Sequence, residues 1–241
     1  MVTKGACATE LSAVLNELWK LDVNRLKPGK DYTINLQGKA DYVAQGSNRA
    51  NDKANVPLFT YVNEGKLKSI PTYARFISLL DNYEMSTGVS EQVTSQEQEE
   101  ENLFLDAILK TEVMKRAHQH LVSKKQAIFQ TMHHTCATFC FTDLFVLWVC
   151  GVYFNHTLPT ANDHVVNLQF SWKDLVKPTG SSFIGVSPEF EMALFTIAFL
   201  MSNDRLTKTV VKVDKYLIEI VMCRHGRAIG TSYPKLLTRD P

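Results

Sequence analysis

Leu11, Val14, Leu15, Leu18 and Trp19 recur at i, i+3, i+4, i+7 and i+8, the stripe of an amphipathic helix. The stretch from Pro28 to Asn55 has no such period. It is rich in Gly, Asn, Lys and Asp and reads as ordered loop. A second helix is predicted from Pro71, a suitable first-turn residue, with Tyr73, Phe76, Ile77, Leu80 and Tyr83 on one face. The acidic run Glu97-Gln-Glu-Glu-Glu101 leads into a third, with Phe104, Leu105, Ile108 and Leu109 inward. Carboxylates favour the positive end of a helix, so this run reads as a helix start and not as a metal site. A fourth helix turns Val113, Met114, Ala117 and Leu121 inward and ends at Lys124-Lys125.

The period then changes. Val166, Leu168 and Phe170 alternate with polar residues, as in a half-buried strand. Phe183 to Val186 reads as a second strand, and Ser187-Pro188 then caps and opens a helix through Phe190, Ala193, Leu194, Ile197 and Leu200. Val210–Val213 and Tyr216–Arg224 read as further strands. The turn His225-Gly226-Arg227 leads into Ala228–Ser232, ending at Pro234. The predicted class is α+β: a helical N-terminal half (residues 1–127) and an antiparallel β-sheet C-terminal half (164–241).

Residues 128–163 match neither half. From Gln126 through Asn162 the only fully charged residue is Asp143. The abrupt edges suggest an alternative exon, a retained intron or a gene-model error replacing a longer segment. His133, His134, Cys136 and Cys140 are soft ligands that could hold zinc, but no second CxxC or HxxxH pair completes a known spacing. Cys136–Phe154 approaches the length of a membrane span, yet its uninterrupted apolar part, Leu144–Phe154, is only eleven residues. A spanning helix needs about 20, so a buried strand or a poorly fitting insert is the better reading.

Bulk composition narrows the function classes. With 241 residues, 45% apolar and 21% charged, the chain can bury a sizeable core and is globular. A formal net charge of +1 gives no global field to gather a polyanion, so any nucleic-acid contact must come from a local groove. Five irregularly spaced cysteines (Cys7, Cys136, Cys140, Cys150, Cys223) are no disulfide framework and read as reduced thiols of an intracellular protein. Met1–Glu10 contains no apolar signal core, so the expectation is intracellular, or secreted if an upstream exon precedes it.

Several motifs carry a more specific signal. The front contains Asn16-Glu-Leu-Trp19, Asn35-Leu-Gln-Gly-Lys39 and Phe76-Ile-Ser-Leu-Leu-Asp-Asn-Tyr83. The back contains, in order, Trp172, Lys177, Gly180-Ser-Ser182, Gly185-Val-Ser-Pro-Glu189 and Gly230-Thr-Ser-Tyr-Pro234. Both ends resemble the EndoU family, the poly(U)-specific endoribonucleases, and the resemblance lapses between about Ile128 and Asp163. It implies an EndoU-like fold that cleaves single-stranded RNA at uridines. In that chemistry the 2′-hydroxyl attacks the adjacent phosphate, leaving a 2′,3′-cyclic phosphate. One histidine takes the hydroxyl proton, a second protonates the leaving oxygen, and a lysine stabilises the phosphorane. By the resemblance that lysine is Lys177. Ser182, Thr231 and Tyr233 bind the RNA, Thr231 at the uracil edge and Tyr233 by stacking. It also implies Mn2+ as cofactor, single-stranded U-containing RNA as partner, no membrane, and a monomer.

The family's two histidine motifs, Gly-Phe-Glu-His-Val-Phe-Val-Gly-Glu and Gly-Phe-His-Asn-Trp, do not occur in this sequence. His133, His134, His156 or His164 would have to replace them. The reading is therefore a uridylate-specific endoribonuclease. The alternatives are a catalytically inactive RNA-binding variant and, more remotely, a membrane-tethered form. Lys177, Thr231 and Tyr233 are expected to converge on one cleft, with the hairpin at His225-Gly226 returning Thr231 toward a turn at Gly180–Ser182.

Overall fold

Leu15 and Leu18 are fully buried on helix α1 (Lys4–Leu21), so the predicted stripe faces inward. In the computed structural model the described residues are 4–35, 43–44, 56–80, 82, 93–125, 152–153, 164–172 and 175–239. α1 also does a polar task. The Asn16 amide donates to the Lys212 carbonyl at 2.8 Å and its oxygen accepts from the Asp214 amide at 2.8 Å. Together with the Ser12 hydroxyl on the Lys212 amide, at 3.0 Å, this seals one sheet edge.

β1 (Tyr32–Ile34) and β2 (Phe59–Val62) form an antiparallel pair, where the sequence reads as loop up to Asn55 and nothing was expected at 59–62. The reason is length. Three residues that bury only Tyr32 and Ile34 leave no period to detect. The pair belongs to a small second core with Leu26, Leu67, Tyr73, Val166, Leu168 and Ile184. α2 (Glu64–Ser69), also unforeseen, is capped by Asn63, whose side chain accepts from the Lys66 amide.

α4 (Ser95–Leu109) and α5 (Glu112–Ser123) follow the sequence reading, and α3 (Pro71–Ser78) starts at Pro71 as read but ends at Ser78, short of Leu80, while Tyr83 lies outside the described residues. Thr94 and Glu97 close a capping box at the start of α4, which accounts for the acidic run by helix chemistry. Of residues 128–163, only β3 (Val152–Tyr153) is described. It pairs antiparallel with β4 (Val165–Trp172), which pairs in turn with β5 (Leu175–Phe183). The other expectations for 128–163 lie outside the described residues.

β5 is bounded differently from the sequence reading. β5 ends at Phe183 instead of beginning there, and Gly180–Ser182 is strand, not turn. Lys177 pairs with Phe170 and Gly180 with Leu168, leaving Pro178 and Thr179 opposite the single residue Gln169. That bulge accommodates a proline, which cannot donate to a regular ladder.

α6 (Pro188–Leu200) is buried all round through Phe199, Glu189 and Glu191 included, packing on α1, α3, α4, α5 and β7. β6 (Leu206–Val213), β7 (Tyr216–His225) and β8 (Ala228–Arg239) form an antiparallel meander in that order. β8 continues past Pro234, which pairs with Ile220. Within its own sheet β8 is an edge strand, where a missing amide is tolerated. Val211, Ile218, Ile220, Met222 and Leu236 bury one face of this sheet in the main core. Helices thus dominate the first half and antiparallel sheet the second. Among the described residues no helix is long and apolar enough to cross a membrane.

Candidate functional site

β7 and β8 are joined by a two-residue turn at Gly226-Arg227, with Gly226 at φ +61°. Thr231 lies opposite Cys223 and Tyr233 opposite Val221. Side chains alternate along a strand, and burial follows that rule here. Ser232 and Pro234 are buried, whereas Thr231 and Tyr233 are half-buried on the other face, about 7 Å apart. Gly230 precedes them at a bulge opposite Cys223 and Arg224. A Cβ at Gly230 would stand 3.1 Å from the His225 Cβ, so a side chain there would disturb the turn that aims Thr231.

β5 runs beside β8. The Ser181 hydroxyl donates to the Pro234 carbonyl. The return of β8 to the Gly180–Ser182 stretch is therefore present, but the hydroxyl that meets β8 is Ser181. Ser182 is 6% exposed, with its hydroxyl on the Phe183 carbonyl at 3.3 Å. Lys177 lies in the same strand, four residues from Ser181, or about 13 Å of extended chain. Its side chain lies outside the described residues, and so does the expected convergence with Thr231 and Tyr233.

His164 is the one replacement histidine within the described residues; His133, His134 and His156 lie outside them. The Nδ1 atom of His164 is 2.7 Å from the Ile184 carbonyl, a spacing that makes Nδ1 the protonated donor, and 3.3 Å from the Tyr32 hydroxyl. Its ring stands edge-on to Trp19 at 5.5 Å. Burial lowers its pKa, so it is neutral near neutrality. Position excludes it from Lys177 chemistry. The Val165–Phe183 pair beside it and the Phe170–Lys177 pair lie near opposite ends of the β4–β5 ladder, about 17 Å apart. Proton transfer needs hydrogen-bond reach.

Sequence reasoning missed a buried acidic pair. Asp22 follows α1 and Glu189 stands in the first turn of α6; they are 4% and 1% exposed. Glu189 accepts from the Asn24 amide at 2.6 Å, and Asp22 accepts from the Ser187 amide at 3.3 Å. Asp22 Oδ1 and Glu189 Oε2 are buried without a hydrogen-bond partner among the described residues. Burial raises the Asp22 pKa to about 6, the Glu189 charge adding to it, while hydrogen bonds from Ser187 and the charge of Arg25 oppose it. No signal in the sequence marks Asp22, which looks like any aspartate after a helix. Two such carboxylates do not complete a metal site. Among the described residues no group of three His, Cys, Asp or Glu could hold a metal ion.

Comparison with known proteins identifies the frame. The chain matches the family Endoribonuclease XendoU over residues 10–148 and 150–234. The chain belongs to the XendoU endoribonuclease family. It is 48% identical to the poly(U)-specific endoribonuclease of Xenopus tropicalis, covering 96% of this chain and 94% of that protein. It is 47% identical to uridylate-specific endoribonuclease C of Danio rerio, covering 96% and 89%. The solved structure of XendoU, described as a splicing-independent snoRNA-processing endoribonuclease, superposes with a TM-score of 0.82 at 44% identity. It covers 95% of this chain and 97% of that one. The family match runs past residue 128, where the short motifs lapse, and breaks at residue 149. The Xenopus tropicalis alignment spans 279 positions against 241 residues in this chain. At least 38 positions of that relative therefore have no counterpart in this XendoU-family chain.

Proposed function

We propose that the chain recognises single-stranded RNA at uridines, as a uridylate-specific endoribonuclease that leaves 2′,3′-cyclic phosphate ends. The observation that carries this reading is the face of β8 on which Thr231 and Tyr233 stand half-buried, two residues apart and next to β5. Thr231 would hydrogen-bond the uracil edge and Tyr233 would stack on the base. Lys177, further along β5, would stabilise charge on the phosphorane oxygens. Ser182, buried in β5, would act from beneath this face. Manganese, which the resemblance implies, finds no ligand set among the described residues.

A second reading, RNA binding without cleavage, is favoured by two observations. His164 is committed to Ile184 at the far end of the ladder, and a relative carries at least 38 positions that this chain lacks. We place those positions within 126–163, where the histidine motifs would stand. The chain is proposed to act as an intracellular monomer.

A fluorescent oligo-uridine tests both readings with and without EDTA. Cleavage to cyclic-phosphate ends supports the first, and EDTA sensitivity then supports the metal. Uridine-selective binding with no cleavage supports the second. Binding oligo-adenosine equally well overturns both.

A further inference from the structure

The face of the C-terminal sheet that bears Thr231 and Tyr233 does not stop at β8. Residues paired directly across antiparallel strands share a face. Tyr233 pairs with Val221 and Val221 with Lys208, while Thr231 pairs with Cys223 and Cys223 with Leu206. Two rows thus cross the meander from β8 to β6. In the first, Val221 is 4% exposed between a half-buried Tyr233 and an exposed Lys208, forming the floor of a shallow trough. Leu206, 52% exposed, ends the second row, and Val210, 40% exposed, follows Lys208 on the same face.

The charges on this face have one sign in excess. Lys208, Lys212 and Lys235 lie on it, against Glu219 alone. Glu219 is 3.9 Å from Lys235. Among the described residues no carboxylate lies within 4 Å of Lys208. A chain with net charge +1 offers a polyanion no global attraction, so a local excess beside a base platform is what RNA binding requires. β6 stands two strand spacings from β8, about 9.5 Å, and a lysine's flexible four-carbon stem extends the reach of its ammonium.

We propose that this face is a single-stranded RNA track, in which Lys208 binds a backbone phosphate of a nucleotide flanking the one stacked on Tyr233. Leu206 and Val210 flank that phosphate and give the next base an apolar surface. The proposal rests on the reading of Thr231 and Tyr233 as the uridine site and extends it from one nucleotide to a segment.

Salt dependence separates the two. Affinity for a twelve-residue oligo-uridine is measured by fluorescence anisotropy over a range of salt concentrations for the parent, Lys208→Gln, Tyr233→Ala and the control Lys115→Gln on α5. One lost phosphate contact should flatten the log–log salt slope by about 0.7 for a single strand. Lys208→Gln is expected to show that change, to lose most affinity at low salt, and to bind uridine 3′-phosphate as the parent does in saturation-transfer NMR. Lys115→Gln should keep the parent slope. If Tyr233→Ala weakens binding while Lys208→Gln keeps the parent slope and affinity, the track is overturned and the uridine site stands. If the parent itself shows no preference for uridine, both fall.

Discussion

A carboxyl group at position 22 costs the fold more at pH 7 than at pH 4. Burial is the chief reason, since it raises the Asp22 pKa from 3.8 to about 6. A pKa raised in the folded state means stability that is present below about pH 4 and lost as pH rises through 6. Asp22→Asn keeps the shape and removes the charge. Relative to the parent, this variant should gain stability between pH 4 and pH 7, by on the order of 3 kcal/mol at most. Urea unfolding midpoints at the two pH values measure this, and an identical offset at both would refute it. Tyr233 poses the opposite kind of test, being half-buried on a sheet face. Tyr233→Ala should weaken oligo-uridine binding by ~1–3 kcal/mol, the usual range for a base stacked on an aromatic ring. Equal anisotropy titrations of variant and parent would refute the stack.

Elements show where local chemistry suffices and where it does not. Helix α6 is fixed at both ends by side chains. Ser187 accepts from the Phe190 amide at 3.1 Å. The Arg224 guanidinium donates to the Phe199 and Ser202 carbonyls at 2.5 and 2.6 Å and lies 3.6 Å over the Phe199 ring. Ser187→Ala should cost ~1 kcal/mol as a lost N-cap. It should cost less in an Asp22→Asn background, because Ser187 also hydrogen-bonds Asp22. A double-mutant cycle by thermal unfolding reads that coupling, and strict additivity would show that the cap and the acid act independently. The Ser187-Pro188 start of α6 was legible in the sequence, as were the stripes of α1, α3, α4 and α5, because each follows a rule acting within a few residues. β1, β2 and the true extent of β5 were not legible. A three-residue strand has no period, and Pro178 hides a strand whose bulge exists only against Gln169. The candidate site divides the same way. Thr231 and Tyr233 stood out by motif, whereas Ser181, Lys208 and His164 take their places from partners more than a dozen residues away in sequence, which no local pattern encodes.

At the scale of the whole molecule, a hub of aromatic rings ties the halves together away from Lys177. Trp19 of α1 meets His164, Phe190 and Tyr216 edge-on at 5.5, 5.3 and 6.3 Å, and Arg25 lies 3.9 Å over its ring. The Tyr216 hydroxyl accepts from the His164 amide at 2.9 Å, joining β7 to the start of β4. This hub joins α1, the start of β4, α6 and β7, and it adds to the main core that α3, α4 and α5 share with them. Such a frame can keep its RNA-binding face while lacking proton transfer, because binding and chemistry draw on different segments. Proton-transfer groups contribute typically 10²–10⁴-fold each, and their losses do not add when they act as a unit. Oligo-uridine cleavage by this chain should accordingly fall at least about 10²–10⁴-fold below that of the Xenopus tropicalis relative assayed alongside it. Replacing residues 126–163 with the corresponding longer segment of that relative should restore most of the difference, because 48% identity over nearly the whole chain supplies matching ground on both sides. Uridine affinity should change little, since Thr231, Tyr233 and Lys208 lie outside the exchanged stretch. A parent chain that already cleaves at the relative's rate would show that histidines within 126–163 do the work. A folded graft that binds oligo-uridine yet stays inactive would place the defect in the frame itself.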